Sequence, residues 1–366
     1  MPLVQADDFR KLSIGLLTAA GARDAEASVL TESLVFASLH AHDTHGAGHL
    51  YTYVNAYLGL GPFGNTRQED GEPIIVRETA ATLAIDANWC LGFKVAWDAT
   101  LKVIEKAKQT GIAAATMHRC SHVGALNFYT HEIVRNDMIG LAFAGAGAIA
   151  PPHGGTQRML GTNPISIGVP AGEEYPFLAD MSTAAGTAAE INRYLAIGGG
   201  LPEGLILDND GEPTTDPTKF SMRAAGGEPQ GAMQNMGGGH KGYALQLAVE
   251  MLGGIWSGLL SGQESFIGGR FNNPMSIIAV NVSFFQDLDA FKAKVDARIR
   301  ELRASRKKAG VERILIPGER GFRAQETRLK EGLPIIPHEW ERIVEQAEKL
   351  NVSLPDVESA AARGVS

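Results

Sequence analysis

The middle of the chain alternates amphipathic helices with short apolar strands, and this alternation restricts the possible folds more than any other feature. "FKVAWDATLKVIEKAKQTG" (93–111) has helical spacing and is followed by the apolar strand "IAAATMHR" (112–119). The same order returns in "NFYTHEIVRND" (127–137) and "MIGLAFAGA" (138–146). Such alternation predicts an α/β domain in which helices pack on a sheet.

Both ends of the chain have helical spacing. Residues 6–58 hold three segments with apolar residues at helical intervals, and two charged amphipathic segments follow residue 286. At 366 residues, the chain is also longer than most single hydrophobic cores allow. We therefore predict an N-terminal helical segment (1–72), an α/β domain (73–285) and C-terminal helices (286–366). The C-terminal helices are expected to pack back on the N-terminal segment and form a helical domain with it.

The predicted α/β domain changes composition after residue 150. Residues 151–235 are rich in glycine, proline, aspartate and threonine, which is typical of loops and turns that line a site. The next segment, "HKGYALQLAVEMLGGIWSGLLSG" (240–262), predicts one long apolar helix. At the start of the domain, "PIIVRETAATLAIDANWCLG" (73–92) predicts a hairpin of strands.

Composition excludes several classes of partner. A formal net charge of -8 argues against nucleic acid or an anionic membrane surface. No run approaches the roughly 18 apolar residues that a membrane span needs, and the first residues lack the apolar segment of a secretory signal. The only cysteines, Cys90 and Cys120, cannot form a disulfide framework, which suits a reducing compartment. The predicted location is the cytoplasm.

Two glycine motifs resemble the dinucleotide fingerprint G-x-G-x-x-G but lack its context. "GLGPFG" (59–64) follows a helix rather than a strand and contains Pro62. "GAGAIA" (145–150) follows a strand, but the prolines at 151–152 prevent the helix that should open there. A dinucleotide would therefore bind outside a Rossmann βαβ unit.

A third glycine-rich turn, "GGGHKG" (237–242), places His240 and Lys241 at the start of the long apolar helix. The N–H groups and positive end of a helix start can bind an anion, so a phosphate site is one interpretation. The other is an ordinary helix entry with a solvated lysine. No G-x-S-x-G motif is present and neither cysteine has the context of a nucleophile, so acyl transfer is not supported.

The stretch "LHAHDTHGAGH" (39–49) concentrates four histidines: His40, His42, His45 and His49. Their spacing could bind zinc on a continued helix, which leaves a metal-dependent hydrolase or lyase as an alternative function. However, the H-E-x-x-H glutamate is missing and two glycines end the helix inside the cluster. His45 lies at that break, where a histidine can project into a cleft and act as a general acid near neutral pH.

Several segments together resemble the type-2 malate/L-lactate dehydrogenase family, which includes sulfolactate and ureidoglycolate dehydrogenases, diketogulonate reductase and piperideine-2-carboxylate reductase. "THGAGH" (44–49) is similar to the family hallmark S-H-G-x-x-R. Further similar segments follow in the family's order over nearly the whole chain: "CSHVGALNFY" (120–129), "LGTNP" (160–164), "GGHKGYALQLAVEMLGG" (238–254) and "ILIPGER" (314–320).

The resemblance implies a non-Rossmann fold with a mixed sheet that binds NAD or NADP, with NADPH slightly favoured. It also implies a homodimer with the cofactor near its interface, and reversible reduction of a 2-oxo acid or cyclic imino acid without a metal. By the same resemblance His45 is the proton donor, Thr44 its orienting hydroxyl and Glu190 an acidic relay, while His49 and Thr162 contact the substrate. The implied cofactor contacts are His122, Val123, Gly124, Ala125, Leu126, Asp180, Met181, Ser182, His240, Lys241, Pro317, Gly318 and Glu319.

One departure from the family pattern affects substrate choice. His49 stands where relatives have an arginine that clamps the substrate carboxylate. Arginine offers a permanent bidentate charge, whereas histidine offers one donor and a charge that titrates near neutrality. The substrate could therefore lack a free carboxylate, be bulkier, or bind another cation such as Arg158 or Arg193. A non-catalytic cofactor-binding homologue is a further alternative.

Overall fold

The computed structural model describes residues 1–61, 63, 71–222, 229–259, 262, 265–267, 270–355 and 357–359. Its α-helices are α1 (Ala6–Ala19), α2 (Asp24–Leu39), α3 (Leu50–Tyr57), α4 (Gly92–Thr110), α5 (Asn127–Arg135), α6 (Ala188–Ile197), α7 (His240–Val249), α8 (Leu288–Ala304), α9 (Glu319–Glu331) and α10 (Pro337–Leu350). Its strands are β1 (Pro2–Val4), β2 (Ile74–Glu78), β3 (Thr82–Asp86), β4 (Ile112–His118), β5 (Met138–Ala144), β6 (Ile165–Val169), β7 (Phe177–Met181), β8 (Ile206–Leu207), β9 (Pro213–Thr214), β10 (Ala232–Met233), β11 (Phe266–Ile267), β12 (Arg270–Phe271), β13 (Met275–Asn281), β14 (Leu333–Pro334) and β15 (Glu358–Ser359).

A seven-stranded mixed sheet forms the centre of the protein, in the order β2-β3-β4-β13-β5-β6-β7. β3 and β4 run parallel, whereas the other neighbours pair antiparallel. This arrangement confirms the predicted α/β class with a mixed, non-Rossmann sheet. The predicted hairpin at 73–92 is also confirmed, because β2 pairs antiparallel with β3.

The sheet buries its alternate residues under α4 and α5. In β4, Ala113, Ala115 and Met117 are buried while their neighbours are partly exposed, as expected for a strand with one covered face. α4 presents Ala96, Ala99, Val103 and Ala107 to this core at helical spacing and ends at Gly111, whose φ of 81° suits glycine.

A second hydrophobic core joins the two ends of the chain. Phe9 of α1, Leu34 of α2 and Tyr53 of α3 share this core with Leu333 and Ile343, which lie near the C-terminus. β1 pairs with β14 and β15 and links the same ends. The predicted boundaries near residues 72 and 285 remain predictions.

Three segments differ from the sequence prediction. The expected helix over 240–262 is α-helical only to Val249, and a π-helical turn, Glu250–Gly254, follows. The double glycine explains the change, because a Cβ on Gly253 would lie 2.8 Å from the backbone carbonyl carbon of Ala144. Two helices were also missed: α6, inside the expected loop region, and α9, after the turn at 317–319.

Candidate active site

His45 lies on a tightly held turn between α2 and α3. Two short 3-10 turns, Asp43–His45 and Ala47–His49, replace the helix there. The hydroxyl of Ser38 accepts a hydrogen bond from the Ala47 N–H at 2.7 Å, and Arg328 of α9 donates to the Asp43 carboxylate. Residues from both ends of the chain therefore fix this turn.

The ring of His45 is oriented by two contacts. Its Nδ1 lies 3.1 Å from the Thr44 hydroxyl oxygen, and its plane stacks on His122 with a centroid distance of 5.7 Å and an angle of 13°. Nε2 makes no hydrogen bond with a described residue. The structure thus brings Thr44, His45 and His122 together and leaves Nε2 for a reacting group.

Three imidazoles in this cluster have lowered pKa values. Burial is the first cause for His45, and the neighbouring His122, His42 and His49 add to it. Burial lowers the pKa of His122 to about 4 and also lowers the pKa of His49. The ring of His45 is therefore largely unprotonated at neutral pH. The unprotonated ring suits a general base, and the protonated fraction suits a general acid.

Aromatic rings extend the stack away from His45. The Tyr53 hydroxyl lies 2.8 Å from Nδ1 of His122, and Phe63 stacks on His122 with a centroid distance of 5.2 Å. Burial raises the pKa of Tyr53, so its hydroxyl stays neutral. Gly124, with φ 73°, turns the segment back under Phe93, where a Cβ would lie 2.4 Å from the ring. His122 is therefore held from both sides.

The segments predicted to contact the cofactor meet along β7 and the residues that extend it. The Leu178 N–H donates to the Pro317 carbonyl at 3.0 Å, and the Ser182 hydroxyl donates to the Thr162 carbonyl at 3.1 Å. Further on, the Met236 N–H donates to the Thr183 carbonyl at 2.9 Å, just before α7. One edge strand thus connects the turn at 317–319, the loop at 160–164 and the entry of α7.

Asp180 links this strand to the histidine turn. Its buried carboxylate accepts the Asn127 N–H at 2.9 Å, at the start of α5, and lies 3.9 Å from Nδ1 of His42. Burial raises the pKa of Asp180, with the nearby His42 opposing that effect. Asp180 therefore holds the 122–126 segment against β7, which the sequence did not predict.

The entry of α7 exposes both residues of the predicted anion site. His240 and Lys241 lie in the first turn after Gly239, and Lys241 makes no hydrogen bond or ion pair with a described residue. Gly242 is required at this point, because a Cβ there would lie 1.8 Å from the Met236 carbonyl oxygen. The free lysine and the helix start together are suited to bind an anion.

In the predicted turn at 317–319, the Glu319 side chain is buried in the protein and bound by arginines. Gly318 has φ 95° and packs on Leu178, which leaves no room for a side chain. The Glu319 carboxylate is 1% exposed and is held by Arg323 at 2.7 Å and Arg303 at 3.0 Å. Its side chain is thus committed to the fold, so a cofactor contact here would involve Pro317 and the backbone.

Glu190 does not join the histidines. It lies in the first turn of α6, where its N–H donates to the Thr187 hydroxyl at 3.2 Å. Its carboxylate lies against Gly186, 3.0 Å from the position of a Cβ there, and makes no contact with His45 among the described residues. The structure therefore does not bring the predicted acidic relay residue to the histidines.

A buried polar network behind the site was not predicted. Asn163 donates to the Glu250 carboxylate at 2.6 Å, and Gln246 donates to the Gly161 carbonyl at 2.7 Å and accepts from Asn235 at 2.6 Å. This network joins the 160–164 loop to α7. The sequence did contain a signal, since Glu250 is the only acid in the apolar segment 240–262.

The histidine stretch does not form a metal-binding cluster within the described residues. No three histidine, cysteine, aspartate or glutamate side chains in this part of the chain are arranged to hold a metal ion. His40 stacks on Phe36, with a centroid distance of 4.0 Å, and its ring also lies 5.8 Å from that of His131. Within the same residues, no helix is long and apolar enough to cross a membrane.

Comparison with known proteins shows likeness over almost the full length. The malate/L-lactate dehydrogenase family profile matches residues 4–344. Malate/(S)-sulfolactate dehydrogenase of Methanothermus fervidus is 32% identical over 358 residues, which cover 96% of this chain and 99% of the relative. Malate dehydrogenase of Pyrococcus abyssi is 31% identical over 353 residues, which cover 95% of each chain.

Solved structures agree with the sequence matches. Malate dehydrogenase of Entamoeba histolytica superposes with a TM-score of 0.91 at 26% identity and covers 97% of this chain and 100% of that one. Sulfolactate dehydrogenase of Methanocaldococcus jannaschii gives a TM-score of 0.85 at 31% identity, with 97% and 98% covered. The residues that build the mixed sheet and the His45 turn all lie within the region that the family profile matches. The chain therefore belongs to the malate/L-lactate dehydrogenase family and is an oxidoreductase.

Proposed function

We propose that the protein catalyses the reversible, NAD(P)H-dependent reduction of a 2-oxo acid, a cyclic imino acid or a close derivative. The observation that carries this proposal is the His45 ring, fixed through Nδ1 by Thr44 and open at Nε2, beside the segments that meet along β7. General acids need this combination of a fixed ring and a free nitrogen.

Several features of the chain fit a nicotinamide dinucleotide. Lys241 and the N–H groups at the start of α7 suit its phosphates, and the flat faces of the histidine and aromatic rings suit its nicotinamide. When bound, the cofactor supplies the hydride. Nε2 of His45 supplies the proton to the developing alkoxide or amine, while Thr44 keeps the ring in place. Tyr53 and Asp180 hold the neighbouring segments.

Cofactor titration followed by turnover assays tests this function. We expect NADH or NADPH to quench protein fluorescence and raise the melting temperature, with NADPH the tighter ligand. A panel of 2-oxo acids, their amides and cyclic imino acids should then include compounds that consume the cofactor, followed at 340 nm. If neither cofactor binds, the proposal fails. Binding without turnover of any panel member would indicate a non-catalytic homologue.

We further propose that the protein is a homodimer, as the family resemblance implies, and that it is cytoplasmic, as its low cysteine content suggests. The end of the π-helical turn exposes an apolar patch, with Met251 49%, Ile255 48% and Trp256 47% exposed. Such patches commonly mark interfaces. Sedimentation should therefore give twice the 38.9 kDa chain mass, and Trp256→Glu should shift it toward the monomer. A monomeric wild-type protein at micromolar concentration would contradict this assembly.

A further inference from the structure

His49 leaves a buried ring nitrogen unused beside the proposed proton donor. It ends the second short turn after His45, and its Nδ1 is buried without a hydrogen-bond partner among the described residues. Most buried polar atoms in proteins have a partner, so an unpaired one next to a reactive group is a candidate ligand contact. Its position beside His45 and His122 suits a group adjacent to the reacting carbon.

The histidine cluster offers no fixed positive charge. Burial lowers the pKa of His49, and the pKa values of His45 and His122 are lowered as well. Among the described residues, no lysine or arginine donates a hydrogen bond to these rings or to His42. Among the described residues, a carboxylate placed here would therefore find no lysine or arginine bonded to the rings.

Three carboxylates lie around the cluster, and the arginine at the turn, Arg328, is already paired with one of them, Asp43. Asp180 lies 3.9 Å from Nδ1 of His42, and Asp43 begins the turn itself. The Glu339 carboxylate packs on Gly48, with an oxygen 1.7 Å from the position of a Cβ there. A further carboxylate, brought in by the substrate, would add to this negative charge.

The two arginines that could replace the family's clamp, Arg158 and Arg193, make other contacts. Arg158 donates to the backbone carbonyls of Gly231 at 2.6 Å and Ser221 at 3.0 Å, and its guanidinium lies over Phe220. Arg193 is exposed on α6 and lies 5.7 Å from the centroid of the Tyr194 ring. Neither contacts a histidine of the cluster among the described residues.

We propose that His49 binds an uncharged amide group, so that the preferred substrates are 2-oxo amides rather than free 2-oxo acids. A neutral imidazole has one N–H donor and one acceptor nitrogen. The unpaired Nδ1 can therefore donate to the carbonyl oxygen of an amide or accept from its N–H, depending on the tautomer, whereas a carboxylate can only accept and brings a further negative charge. This inference rests on the proposed function and narrows its substrate class.

Matched acid and amide probes test the inference. At pH 8, kcat/KM should be at least tenfold higher for pyruvamide than for pyruvate in the wild type, and His49→Arg should invert the preference. His49→Gln is the matched control, because it keeps a neutral donor and acceptor and should still prefer the amide. Oxamide and oxamate supply an unreactive pair, whose binding is read from shifts in melting temperature.

Two results would overturn the inference. One is a wild type that prefers pyruvate or binds oxamate more tightly than oxamide at pH 8. The other is an oxamate affinity that rises about tenfold per unit as the pH falls toward 6, since His49 would then act as a charged clamp. Failure of NAD(P)H to bind contradicts the proposed function instead, and the oxamide–oxamate comparison still decides which group His49 accepts.

Discussion

Replacing His45 with glutamine should lower kcat/KM for the reduction by about 10²- to 10⁴-fold, the usual contribution of a general acid. Glutamine keeps a polar side chain at the turn but cannot deliver a proton at neutral pH. Because the turn is fixed by Ser38 and Arg328 rather than by the His45 ring, the melting temperature and the cofactor affinity should change little. Steady-state assays at 340 nm measure kcat/KM, and stopped-flow assays measure the affinity for the cofactor.

The pH dependence of the same reaction identifies the proton donor. His45 has a lowered pKa, so above that pKa its protonated fraction falls about tenfold per pH unit. The wild-type kcat/KM for reduction should therefore rise as the pH is lowered from 8 to 6, and the His45→Gln profile should be flat. His338→Gln, at an exposed position on α10, serves as the control with wild-type behaviour. An unchanged slope in His45→Gln would assign the proton to another residue.

Substituting Gly242 with alanine should lower the free energy of unfolding by about 2–4 kcal/mol, a large effect for one methyl group. The new Cβ would lie 1.8 Å from the Met236 carbonyl oxygen, and this atom belongs to the backbone, so the entry of α7 must move. The movement would displace His240 and Lys241, and the affinity for NADPH should fall together with the stability. Urea unfolding and cofactor titration measure the two effects.

Gly199→Ala is the matched control for this substitution. A Cβ on Gly199 would meet only the Tyr194 ring, at 3.8 Å, and its φ lies outside the left-handed region. Its stability should stay within about 0.5 kcal/mol of the wild type. If Gly242→Ala is equally mild, the close approach of α7 to Met236 is not a constraint on the fold.

Local sequence patterns were sufficient to predict most of the fold. The alternating burial of β4 and the helical spacing of α4 depend on residues close in sequence, so they could be predicted. The end of α7 could not be predicted, because it depends on the close contact of Gly253 with Ala144, more than a hundred positions away. α9 was missed since its few buried residues, among them Phe322, face elements distant in sequence.

By itself, the sequence determined the α/β class and the family, and it predicted the pairing of Thr44 with His45, because neighbouring residues carry those signals. Only the tertiary structure decided that Asp180 rather than Glu190 lies beside the histidines, that Glu319 is held by Arg303 and Arg323, and that His49 keeps an unpaired nitrogen. The physical reason is that hydrogen bonds and charges act through space, and the chain brings together residues more than a hundred positions apart.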